Sequence, residues 1–146
     1  MVRLAEIKDI PAIIGLFREQ VPETHLAFAE KGFSARKSAN LVRSSITQGF
    51  AWVYDNEGVT GVLVAQKNLN MFSDTVIEAN LLAIFVKPEQ RNGISAGRLL
   101  KTFISKCDED KVQMVWIGTN VNSPLGDKVM NRLGFRLQEQ FYLKER

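Results

Sequence analysis

Residues 77–98 read IEANLLAIFVKPEQRNGISAGR, and the rest of the chain can be placed around this stretch. Ile77 to Val86 is nearly all apolar, the pattern of a strand buried on both faces. Lys87 to Gly93 is a charged loop containing Pro88 and Gly93. A helix follows, with Ala96, Leu100, Phe103, Ile104 and Cys107 on one face. Small residues in the loop let backbone N–H groups approach a ligand, and the helix N-terminus adds partial positive charge. A pyrophosphate is the guest such a loop suits. A turn that simply needs a positive φ at Gly93 accounts for the same residues. Gly93–Ile94–Ser95–Ala96–Gly97 also matches the G-x-S-x-G nucleophile elbow, but six residues separate it from the strand. The single histidine, His25, lies upstream, so a serine triad cannot be assembled in that order.

Working outward, Val2 to Ala5 alternates like a short strand. Asp9 offers an N-cap ahead of Pro11, and Ile10, Ile13, Ile14 and Phe17 have helical spacing. Val21 to Phe33 lacks a clear period and reads as a loop or irregular helix. Ser38 is the expected cap of a second helix running to about Gln48 and closed by Gly49. Phe50 to Tyr54 and Val59 to Ala65 form a hairpin about the turn at residues 55–58, and Asn68 to Thr75 is a polar connection. After the helix that follows Gly93, Val112 to Ile117 reads as a second buried strand. Asn122–Ser123–Pro124 starts a helix that Gly134 stops, and Phe135 to Leu143 is a closing strand. The order β-α-α-β-β-β-α-β-α-β is mixed α/β.

The chain has 146 residues, 45% apolar and 24% charged, which is an ordinary globular composition and predicts one domain over residues 1–146. One cysteine and one histidine exclude a disulfide framework and the usual zinc sites. A net charge of +3 favours an anionic ligand, but no dense basic stripe supports nucleic-acid binding as the main role. No apolar run is long enough to cross a bilayer, and no charged-then-apolar leader pattern opens the sequence. The expectation is a soluble cytoplasmic protein, a monomer or homodimer, without a membrane partner.

Three segments resemble the GCN5-related N-acetyltransferase (GNAT) superfamily, over nearly the whole chain. Leu82 to Arg91 looks like the family's fourth strand running into its pyrophosphate loop. Arg91 to Leu100 is similar to its [RQ]-x-x-G-x-[GA] loop and following helix. Met130–Asn131–Arg132–Leu133–Gly134–Phe135, with Tyr142 seven residues on, is similar to its C-terminal helix, "GF" turn and last strand. The ungapped register puts Arg91, Ile94 and Ala96 at the motif positions, with Ile94 in place of the central glycine. The other register recovers Gly93 but ends on Ser95 and needs an insertion. Met130 stands where many members carry the tyrosine that protonates the departing thiolate, and a thioether has no proton to give.

The resemblance implies a GNAT fold, with a mixed sheet of about six strands and four helices. It also implies acetyl-CoA as co-substrate and an amine acceptor on a small molecule, peptide or protein. A catalytically silent module that binds CoA or a protein partner is the alternative. By the same resemblance the fourth strand splays from the fifth, exposing backbone near Ile84, Phe85 and Val86 to the cofactor arm. Backbone amides of Arg91, Asn92, Gly93, Ile94, Ser95, Ala96 and Gly97 surround the phosphates in either register.

Acetyl transfer needs the acceptor ammonium, with a pKa of about 10.4 when lysine-like, to lose a proton. The resemblance implies Glu78 as the candidate base, since it lies thirteen residues before Arg91, the spacing at which histone-acetyltransferase members carry their glutamate. Period-2 alternation groups it with Asn80, Leu82 and Ile84. An ordinary solvated glutamate at a strand end is the other reading. Asn80 orients a substrate amide or water, or is a bonded polar residue of the sheet. Asn122 and Ser123 contact the cofactor arm, cap a helix, or do both. Tyr142 is the candidate acid in place of Met130, with Tyr54 behind it, and each also reads as a half-buried structural tyrosine. His25 reads as a surface residue; Trp52, Trp116 and Cys107 read as core.

Overall fold

The computed structural model describes residues 1–91, 93–119 and 126–146. Its elements run β1 (Val2–Leu4), α1 (Ile10–Glu23), α2 (Ala27–Lys31), α3 (Ala35–Gln48), β2 (Ala51–Asp55), β3 (Val59–Leu69), β4 (Ile77–Val86), α4 (Ser95–Glu109), β5 (Met114–Trp116) and α5 (Asp127–Arg132). The strands form one sheet in the order β1-β2-β3-β4-β5, antiparallel except for the parallel β4–β5 pair. Among the described residues no helix is long and apolar enough to cross a membrane.

Each face of the sheet carries its own core. On one face Ile10, Ile13, Ile14, Leu16 and Phe17 of α1 and Val42 of α3 pack against Val53, Val62, Val64 and Phe85. The spacing of the α1 residues is the reason that helix forms there: one apolar stripe faces the sheet. On the other face Leu99, Leu100, Phe103 and Cys107 of α4 meet Trp52, Leu63, Ala65, Ala79 and Val86, together with Phe50 just before β2. Phe50, Trp52 and Phe103 make edge-on and tilted ring contacts, with centroids 5.8–6.2 Å apart. Burial lifts the Cys107 thiol to about 11, so it behaves as a core residue.

Several expectations are corrected. Ser34, not Ser38, caps α3: its backbone is extended and its Oγ accepts from Lys37 N at 3.1 Å. Gly49 does close that helix, in the left-handed conformation at φ 75°. Asp9 is not a side-chain cap for α1, because its carboxylate is already taken. It accepts from Glu6 N at 2.8 Å and from both terminal nitrogens of Arg3 at 2.8 and 3.0 Å. Residues 27–31, expected to be irregular, form α2. β3 runs four residues past Ala65, and β5 is shorter than Val112–Ile117 and only half-buried.

Among the described residues the sheet has five strands, because Phe135 to Leu143 does not pair. Phe141 is 89% exposed and Tyr142 94%. A strand needs a partner edge, and β5, at the border of the sheet, offers three residues. The described helices number five rather than four, because α2 is added.

Candidate active site

One irregularity in β4 shapes the site. Val64 faces Ala83 and Ala65 faces Leu81, so Leu82 is an extra residue without a partner: a β-bulge. The bulge overturns the expected alternation. Ala79 and Leu81 pack on the α4 face before it, and Ile84 and Val86 pack on that face after it. Glu78 and Asn80 therefore share the α1/α3 face with Ala83 and Phe85, not with Ile84. Leu82 itself is 40% exposed, so β4 is not buried on both faces.

The pairing with β5 lies wholly before the bulge. The parallel ladder joins Glu78, Ala79 and Asn80 to Met114, Val115 and Trp116 and goes no further. Among the described residues, β4 beyond it continues to Val86 paired with β3 alone. The Ile84 carbonyl accepts from Gln20 Nε2 of α1 at 3.1 Å, and the Val86 carbonyl from Arg91 Nε at 2.7 Å. A strand residue turns both backbone polar groups to the same edge, so the N–H groups of Ile84 and Val86 face this open side too.

The loop after β4 bends through a short 3₁₀ turn, Pro88–Gln90, and reaches α4. Gly93 has φ +81°, a conformation that glycine adopts without strain. Among the described residues, a Cβ at Gly93 or at Gly97 would meet nothing within 4 Å beyond its chain neighbours and, at Gly97, its own helix backbone, so both face open space. Ser95 is buried, Ala96 and Gly97 are half-buried and Ile94 is 51% exposed. The first turn of α4 has no acidic residue, and its N-cap residue, Ile94, supplies no side-chain cap. Arg91 is tied down: besides Val86 it donates through Nη2 to both Glu23 carboxylate oxygens at 2.9 Å, and its guanidinium lies 5.1 Å from the Phe85 ring centre. Asn92, Asn122 and Ser123 lie outside the described residues.

Glu78, at the head of β4, is gripped from both sides. Its Oε2 accepts from Asn70 Nδ2 at 2.9 Å and from Trp116 Nε1 at 3.1 Å, and its Oε1 from Asn68 Nδ2 at 3.3 Å. Asn80 Nδ2 in turn donates to Asn68 Oδ1 at 3.3 Å. The Asn70 bond foremost, followed by those of Trp116, Asn68 and Asn80, holds the carboxyl below its ordinary range, because each favours the charged form. Trp116 is therefore a half-buried donor and not core, whereas Trp52 is core.

The other candidates are not gathered at this cluster. His25 is exposed, with φ 57°. Tyr54 packs half-buried against the α4-side core. Tyr142 projects from the unpaired C-terminal segment, and Met130 is half-buried in α5. Sequence reasoning missed Gln20, Glu23, Asn68 and Asn70. None of the four carries a signal in the sequence, since residues 62–68 do not alternate between apolar and polar side chains.

No protein-family model matches the chain, and no curated protein sequence does. Solved structures match it over almost its whole length. A predicted acetyltransferase from Clostridium acetobutylicum, solved with acetyl-CoA, superposes with a TM-score of 0.76 at 14% identity, over 99% of this chain and 95% of that one. AAC(6')-Iy, in complex with the bisubstrate analogue CoA-S-monomethyl-acetylneamine, gives 0.73 at 16% identity, over 100% and 97%. A transcriptional regulator from Bacillus halodurans gives 0.76 at 12% identity, over 100% and 99%. At these identities the likeness is one of fold. The fold of this chain is that of the GCN5-related N-acetyltransferases.

Proposed function

We propose that residues 1–146 form a single acetyl-CoA-dependent N-acetyltransferase domain acting on a primary amine of a small molecule, peptide or protein. The observation that carries the reading is the parting of β4 from β5 after Asn80 and Trp116, which opens a backbone edge beside a glycine-bearing helix start. The solved relatives with acetyl-CoA or a CoA bisubstrate analogue add to it.

The residues present fit the cofactor. Acetyl-CoA would supply the thioester carbonyl as electrophile and the thiolate as leaving group. The N–H groups of Ile84 and Val86 suit the amides of its arm, as a missing strand would. Gly93 to Gly97 and the first turn of α4 suit its pyrophosphate, where aligned N–H groups and the helix dipole favour negative charge. Arg91, held by Glu23 and Val86, fixes the course of this loop, so the phosphates fall mainly to the backbone. Glu78 accepts the proton of the acceptor ammonium, directly or through water. With Met130 a thioether and Tyr142 exposed, water protonates the thiolate.

Two measurements test this. Acetyl-CoA should raise the thermal midpoint, since a ligand that binds only the folded state stabilises it. Free thiol should then appear from acetyl-CoA in the presence of a polyamine, a lysine-bearing peptide or an amino sugar. Absence of a thermal shift at millimolar acetyl-CoA removes the cofactor. A shift without thiol release from any amine points to a silent CoA-binding module.

A further inference from the structure

We infer that Asn70 and Trp116 are positioning residues that occupy Oε2 of Glu78 and leave Oε1 as the oxygen that takes the acceptor's proton. The inference rests on the reading of Glu78 as base. A carboxylate oxygen offers about two lone-pair sites, and Oε2 accepts two bonds of ordinary length, 2.9 Å from Asn70 and 3.1 Å from Trp116. Among the described residues the bond to Oε1 is longer, from Asn68 at 3.3 Å, beyond the usual N–H···O range. The two oxygens are therefore unlike: one is filled, and the other keeps a site.

Asn70 is aimed independently of Glu78. Its Oδ1 accepts from Phe72 N at 2.9 Å, which fixes the amide so that Nδ2 faces the carboxylate. Its backbone is fixed as well, N donating to Val76 O at 2.9 Å and O accepting from Ser73 N at 3.0 Å. The turn between β3 and β4 is thus folded around a donor for Glu78. Trp116 reaches the same oxygen from β5, in the last pair of the ladder before the strands part. Donors from opposite sides of β4 stop the carboxylate from swinging away. The groups bearing on it, Asn68 within β3, Asn70 just after it, Asn80 of β4 and Trp116 of β5, are all neutral, and their hydrogen bonds hold its pKa below the ordinary range. In the proton transfer an ammonium N–H bond breaks as the O–H bond forms on Oε1. The amine keeps the electron pair, and Oε1 later returns the proton to water.

The indole N–H of Trp116 makes this measurable without turnover, since the chain has two tryptophans and Trp116→Phe identifies the signal. The ¹H–¹⁵N resonance of Trp116 should follow Glu78 ionisation on acidification, and Glu78→Gln should shift it at pH 7 and abolish the titration. Asn70→Asp keeps the acceptor for Phe72 but sets a carboxylate where the donor was. Its titration should lie at least about one pH unit higher, a tenfold change in proton affinity. An indole signal indifferent to Glu78→Gln, or an Asn70→Asp midpoint no higher than wild type, overturns the inference. With the amine turned over fastest in the thiol assay, Trp116→Phe should lose roughly tenfold in kcat/KM on the acid limb and much less on the plateau. Equal loss at every pH overturns it as well. Full turnover in Glu78→Gln instead removes the base itself, so the two failures are read on different measurements.

Discussion

Gly97 is the third residue of α4, in ordinary helical conformation, and among the described residues a Cβ built there meets nothing within 4 Å outside its own helix. Stability alone gives no reason for glycine at this position. Glycine in a helix costs about 0.8–1.0 kcal/mol relative to alanine. Gly97→Ala should therefore stabilise the ligand-free protein by up to about 1 kcal/mol, raising its midpoint by roughly 2–5 °C. Gly97→Val should leave the ligand-free midpoint near wild type or slightly above, since valine is also a better helix former than glycine. Its branched side chain would fill the open space that the proposal gives to the pyrophosphate. At a ligand concentration of about 100 Kd, acetyl-CoA adds about 2.7 kcal/mol to wild type; a tenfold weaker complex keeps only about 1.4. Thermal unfolding of the three proteins, with and without acetyl-CoA, therefore separates the two effects: ligand-free stability holds or rises while the ligand-induced shift of Gly97→Val falls by half or more. If Gly97→Val keeps the full shift, the cofactor does not approach α4 there. If Gly97→Ala lowers the ligand-free midpoint, the space around Gly97 has been misjudged.

Glu78→Gln should reduce turnover by about 10²–10⁴-fold near neutral pH with acetyl-CoA affinity unchanged, and the deficit should shrink as pH rises toward the amine's own pKa. Steady-state rates across pH with direct acetyl-CoA titration check this, and full activity in the variant refutes it. Arg3 holds both Asp9 and Asp55 below their ordinary range through hydrogen bonds at 2.8–3.0 Å. With folded values depressed, their contribution is present above the ordinary carboxylate pKa of about 4 and is lost as pH falls through the folded values. Arg3→Ala should therefore flatten the dependence of stability on pH below about 4, measured by denaturant unfolding. An unchanged slope refutes it. Phe103→Ala, at a fully buried position among Phe50 and Trp52, should cost about 3–5 kcal/mol in the same assay, and a cost below about 1 would show that the core collapses to fill the gap.

Periodicity located α1, α3, the β2–β3 hairpin, β4 and α4, because each carries an apolar stripe matched to its own period. It misplaced the cap of α3 because Ser34 and Ser38 have equal cap chemistry, and only the extended backbone at Ser34 separates them. Glu78 was legible as a candidate base, while its donors were not. Asn68 and Asn70 sit where an apolar run gives way to polar turn residues, and Trp116 is a large aromatic that composition assigns to a core. The faces of β4 were misread for a simpler reason. Alternation assumes one residue per pleat, and a bulge is a count that only the partner strand can reveal. Gln20 and Glu23 gave no signal at all: polar residues on a surface helix look alike until a carbonyl or an arginine is found opposite.

The bulge also makes the faces of β4 separable from its length. Counting along β4 without Leu82, strict alternation assigns Ala79, Leu81, Ile84 and Val86 to the α4 side and Glu78, Asn80, Ala83 and Phe85 to the other, the same faces they occupy now. A chain one residue shorter would therefore meet both cores with the same side chains. What it would lose is the extra residue that follows the last β4–β5 pair, at Asn80 and Trp116. Leu82, 40% exposed, acts as a spacer that adds little to either core. Its removal is a cut that substitutions cannot imitate.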